Sequence, residues 1–132
     1  MLHSAKILRW LDGDTCEVDV NLIDLGFKIR MQDTVRVYGI NAPEIHSTDP
    51  KEKAAGEAAK LFAEGLAPVG STVEIQTAKA NKEKFGRWLA VITIADGRDF
   101  AHDMIAAGHA KPYFGGPRGP DAPAEPTMPK GE

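Results

Sequence analysis

Lys51-Glu-Lys-Ala-Ala-Gly-Glu-Ala-Ala-Lys-Leu-Phe-Ala-Glu-Gly65 is the stretch that decides the fold. Ala54, Ala58, Leu61 and Phe62 recur at intervals of three and four residues, which predicts an amphipathic helix from about Pro50, with Gly65 and Pro68 as stop signals. Everything before it favours strands. Ile7, Leu8, Trp10, Val18, Val20, Leu22, Ile29, Val35, Val37 and Ile40 supply β-branched and aromatic residues, and Asp12-Gly13 and Leu25-Gly26 punctuate them as turns. Three consecutive antiparallel strands are expected there.

Beyond the helix, residues 71–77 and 88–94 read as two further strands joined by the charged connection Lys79-Ala-Asn-Lys-Glu-Lys-Phe-Gly86. A short helix over residues 100–107 follows, with Asp99 as N-cap and Gly108 just past its end. The order β-β-β-α-β-β-α suits a mainly β, α+β domain: five strands closed into a barrel that leaves no open edge, with two or three helices. Residues 1–114 form this domain. Residues 115–132 are too rich in proline and glycine to pack and are expected to be a flexible tail.

Composition narrows the function. A chain of 132 residues, 42% hydrophobic and 27% charged, builds one core and is expected to be a monomer. It contains no 20-residue apolar span, so no membrane segment is expected. Residues 1–14 lack the basic and apolar regions of an export signal, which predicts a cytoplasmic protein. A single cysteine, Cys16, has no disulfide partner and reads as a small buried apolar side chain. The formal net charge of −3 argues against a protein that coats nucleic acid nonspecifically, so any such contact is local.

Three segments carry residues suited to chemistry. Asp12-Gly13-Asp14-Thr15 sits between the first two strands and, alone, is a common hairpin signal. In Arg36-Val-Tyr-Gly-Ile-Asn-Ala-Pro-Glu44, alternation places Arg36, Tyr38 and Ile40 on one face, so the arginine shares apolar surroundings and needs an anionic partner. A solvated arginine on an edge strand is the alternative. Pro43 stiffens the loop from which Glu44 projects, where a carboxylate can orient or deprotonate water, or simply be solvated. Glu83-Lys-Phe-Gly-Arg87 lies at a hairpin tip, where charges ordinarily face water, although Arg87 stands just ahead of a strand that can hold it. The four histidines show no metal-ligand spacing.

Taken in order, Asp-Gly-Asp-Thr, Arg-x-x-Gly-Ile-Asn-Ala-Pro-Glu and Lys-Phe-Gly-Arg resemble the motif series of the thermonuclease, or staphylococcal nuclease, family, as does Ala106-Ala-Gly-His-Ala110. The resemblance covers roughly residues 5 to 114. It implies an OB-type Greek-key barrel and a metal-dependent nuclease that hydrolyses DNA or RNA, single strands favoured, with little sequence preference. It further implies a calcium ion, with magnesium or another divalent cation as the alternative, held by Asp14, Asn41 and the Ala42 carbonyl. Arg36 and Arg87 resemble the arginines that hold the scissile phosphate, and Glu44 the water-orienting base. Lys84, Phe85, Lys111 and Tyr113 are candidate substrate contacts. Two departures matter. Asn41 replaces an aspartate and weakens the metal shell by one charge, and Phe85 replaces a tyrosine, leaving a ring that can stack but not hydrogen-bond. A weakened module of the same fold that binds nucleic acid or protein is the competing expectation.

Overall fold

The computed structural model describes residues 2–77 and 87–114, with only the backbone of Asp24. Strands β1 (Leu2–Asp12), β2 (Thr15–Asp24) and β3 (Lys28–Val37) form the expected meander. A short β4 (Gly39–Asn41) follows, then helix α1 (Pro50–Leu66), strands β5 (Thr72–Thr77) and β6 (Trp88–Thr93), helix α2 (Phe100–Ala106) and a short β7 (Lys111–Tyr113). Five strands close a barrel in the order β1-β2-β3-β6-β5. All neighbours are antiparallel except β3 and β6, which run parallel through Val35–Trp88, Arg36–Leu89 and Val37–Ala90. The mainly β, α+β OB-type barrel expected from the sequence is therefore the fold.

Alternate residues of the strands fill the interior. Ile7, Val18, Val35 and Ile92 are fully buried, and Cys16 packs among them as a small apolar side chain. Trp10 joins the barrel to both helices: its ring stacks on Phe100 at 4.8 Å, and its Nε1–H donates to the Ala67 carbonyl over 2.9 Å. The indole thus buries its apolar body without leaving its one donor unmet.

Three local expectations need correction. The strand carrying Arg36 does not run on to Ile40. It ends at Val37, and the chain breaks direction at Gly39, whose φ of 90° is open to a residue without Cβ. The resulting β4 pairs with β7 as a separate two-stranded sheet that the seven-element reading omitted. The buried face of α1 is also rotated from the one predicted: Gly56, Ala59 and Ala63 are buried, whereas Ala54, Ala58 and Leu61 are exposed. Small residues win that face because the helix lies almost in contact with the backbone of another segment. Phe62 and Leu66 are partly buried at its flank. Finally, Gly65 lies inside α1, which ends at Leu66 with Ala67 as its C-cap ahead of Pro68.

The second helix follows its sequence signals. Asp99 caps it by accepting from the Ala101 N–H over 3.0 Å. At the far end the His109 N–H reaches the Met104 carbonyl and the Gly108 N–H the Ile105 carbonyl, a paired closure that satisfies two otherwise orphaned acceptors.

Candidate active site

The β1–β2 turn delivers Asp12 and Asp14 to one end of the barrel, and the β3–β4 break delivers Arg36 and Asn41 to the same end. Asp14 is 4% exposed, so its charge needs partners. Its Oδ2 accepts from the Ala42 N–H over 2.7 Å and lies 3.5 Å from Arg36 Nη1, while Oδ1 accepts from the Thr15 hydroxyl over 2.9 Å. Arg36 is equally buried. It donates through Nη1 to the carbonyls of Ile40 and Val37 over 2.8 and 3.2 Å, and through Nη2 to Asn41 Oδ1 over 3.4 Å. The anionic partner required by the sequence is therefore Asp14, and the same guanidinium pins the break around Gly39.

The loop carrying Glu44 hangs from three carboxylates. Asp14 receives the Ala42 N–H, Asp12 Oδ1 receives the Ile45 N–H over 3.3 Å, and Glu52 Oε2 receives the Glu44 N–H at a long 3.5 Å. Glu44 itself is exposed. Burial pushes the Asp12 carboxyl above the usual carboxylate range, with Asp14 and Glu44 adding to the rise against the Ile45 N–H and His46. Asp12, although part of a segment singled out for chemistry, and Glu52 received no site role from the sequence, because one reads as half of a turn signal and the other as an ordinary first-turn acid of a helix.

Asn41, Ala42, Pro43 and Glu44 form one wall of a cleft of about 520 Å³. Glu52 from α1 and the segment from Gly108 to Lys111 form the rest. Lys111 is opposite Asn41 in the β4–β7 ladder, and Tyr113 is opposite Gly39. The structure therefore brings Lys111 to the site, while Tyr113 sits half-buried two positions further along β7. His109 lines the cleft with its ring against Phe62 at 4.8 Å. Arg87 is half-buried immediately before β6. Because Leu89 is opposite Arg36 across the parallel pair, alternation puts Arg87 on the side of the sheet that carries Arg36. Lys84 and Phe85 lie outside the described residues.

The donors here are all oxygens: the carboxylates of Asp14, Asp12 and Glu44, the Asn41 amide and backbone carbonyls. That set matches a hard divalent cation. Both Asp14 oxygens already accept hydrogen bonds, and Oδ2 also faces Arg36, so Oδ1 with its one donor is the oxygen with more capacity left for a cation. Among the described residues no group of three or more acidic, imidazole or thiol side chains is placed to hold a metal ion, so side-chain carboxylates alone do not make a site. Asp14 and the Asn41 amide would leave a cation an open shell that water and phosphate oxygens would have to complete.

A five-stranded OB-type barrel with buried Asp14 and Arg36 at one end and Glu44 projecting beside them defines a thermonuclease-like domain. The chain matches the family model of the staphylococcal nuclease homologues over residues 34–129, and it belongs to that family. It is also 31% identical, over 86% of its length, to an uncharacterized lipoprotein, MG186, of Mycoplasma genitalium. That alignment covers 46% of the relative, so the chain spans about half the length of the curated protein it matches.

Proposed function

We propose that this domain hydrolyses phosphodiester bonds in DNA or RNA, with single strands favoured and little sequence preference. The observation that carries the reading is the pairing of a buried Asp14–Arg36 couple with an exposed Glu44 on a loop whose backbone is tied down at Ala42, Glu44 and Ile45. A binding surface has no need for a carboxylate carried on so anchored a loop at the mouth of a cleft.

Asp14, the Asn41 amide oxygen and the Ala42 carbonyl would hold the divalent cation, calcium by family or magnesium in its place. When bound, it neutralises phosphoryl charge and lowers the pKa of a coordinated water. The remaining work falls to the chain. Glu44 orients the attacking water and takes its proton as the bond to phosphorus forms. Arg36 and Arg87 hold the phosphoryl oxygens and stabilise the charge that accumulates on them. Lys111 contacts a neighbouring phosphate at the cleft rim, and Tyr113, with Lys84 and Phe85, extends the groove for the substrate strand. Electrostatic contact restricted to this cleft accords with a chain of formal net charge −3.

The test is cleavage of single-stranded DNA and RNA with calcium, magnesium or chelator, comparing wild type with Glu44→Ala. Metal-dependent cleavage that collapses in the variant supports the reading. Binding of the same strands without cleavage under any metal overturns it in favour of a binding module.

A further inference from the structure

Of the eight large apolar side chains exposed among the described residues, five lie within residues 22–29: Leu22, Ile23, Leu25, Phe27 and Ile29. This is the β2–β3 hairpin, and it projects from the barrel. β1 accompanies β2 only as far as the Ala5–Val20 pair, and β6 accompanies β3 only at residues 35–37, so the outer part is a ribbon of two strands. Its two most exposed apolar side chains, Leu25 at 77% and Phe27 at 61%, flank Gly26 at the apex. Ile23 and Ile29 are direct partners and share one face behind them. No fold requirement explains large apolar residues at a turn that polar residues ordinarily occupy.

We infer that this apex docks into the interfacial layer of a phospholipid bilayer, with Leu25 and Phe27 leading. Three observations favour that occupant over a protein. The order of side chains along the ribbon is apolar apex first, then the exposed Lys28, then Arg30, which is exposed but ion-paired through Nε to Asp19 at 3.0 Å. At about 3.3 Å per residue Lys28 stands roughly 7 Å and Arg30 roughly 13 Å behind Gly26, a span that brackets the depth separating acyl chains from lipid phosphates. The apex also brings few unmet backbone groups into an apolar medium. Leu25 N–H donates to the Phe27 carbonyl over 3.0 Å, and Asp24 pairs with Lys28 across the ribbon. Finally, five side chains at roughly half exposure offer far less than the ~800 Å² per partner that a stable protein dimer buries. The absence of a membrane-spanning segment concerns spanning only, and a surface apex needs none.

The experiment is co-sedimentation of the full chain with phosphatidylcholine vesicles, with and without phosphatidylglycerol, comparing wild type with the double variant Leu25→Ser, Phe27→Ser. Thermal melting should be unchanged, since both side chains are solvent-exposed in the fold. Wild type is expected to bind both vesicle types, more tightly with phosphatidylglycerol, and the variant to lose on the order of 100-fold in partitioning. No binding by wild type, or equal binding by the variant, overturns the inference. So does sedimentation velocity showing a lipid-free dimer that the double variant abolishes, which would assign the apex to a second copy of this chain.

Discussion

Gly56 of α1 lies so close to Glu44 that a Cβ on the glycine would sit 2.7 Å from the Glu44 carbonyl carbon and 2.8 Å from the Ile45 nitrogen. The neighbour is backbone, which cannot swing aside as a flexible side chain would. Gly56→Ala should therefore cost about 1–3 kcal/mol through overpacking, despite alanine's better helix propensity. It should also displace the loop that aims Glu44. Urea denaturation together with turnover checks this, and a variant as stable and as active as wild type would refute the claimed contact.

Glu44→Gln separates chemistry from folding. The side chain is exposed, so stability should hold within about 0.5 kcal/mol. Loss of general-base assistance should lower kcat by ~10²–10⁴-fold with little change in strand binding. Single-turnover cleavage beside a binding titration distinguishes the two effects.

Arg36→Ala should damage both. Removing the guanidinium leaves Asp14 buried beside a lost cation and frees the Val37 and Ile40 carbonyls, a change that typically costs about 3–5 kcal/mol. Calorimetry should show a large fall in Tm. A melting temperature equal to wild type would mean that the pair is not buried as described.

Asn41→Asp should lower the metal concentration needed for half-maximal cleavage, because a carboxylate adds a charge to the cation site. The same change turns the Arg36–Asn41 contact into an ion pair, so stability should not suffer. An unchanged metal requirement would remove residue 41 from the coordination shell.

Burial pushes the Cys16 thiol from the ordinary 9.0 up to about 12. A folded-state pKa above the unfolded one means that its contribution to stability is complete below about pH 9 and is lost as pH rises toward 12. Iodoacetamide should leave the folded protein unlabelled at pH 8 and modify it once denatured. Rapid labelling of folded protein would contradict the buried placement.

The barrel was legible in the sequence because its strands alternate or run apolar between clear turns, and because Pro68 stops α1 and Asp99 caps α2. The helix face was misjudged for a physical reason. Apolar periodicity selects Leu61, whereas contact with the Glu44 loop selects the absence of side-chain bulk at Gly56, and close approach of Gly13 favours a small residue at Ala59, demands visible only once distant segments meet. Arg36 could be read as needing an anion, but not that its partner would come from a turn 22 residues earlier at Asp14. The β4–β7 ladder escaped notice because three-residue strands carry almost no pattern.

The barrel seam has a consequence for the order of events in folding. β1 is zipped to β5 through pairs such as Leu2–Gln76, and the barrel closes only when β6 slots beside β3 at Val37–Ala90. Both pairings demand closure of long loops before they return any stabilisation, which slows the search. On the ribosome the meander would wait, unclosed, until residue 90 has cleared the exit tunnel. The last sheet to assemble would be the small one at residues 111–113, so the cleft reaches its final shape only after the barrel that supports it is complete.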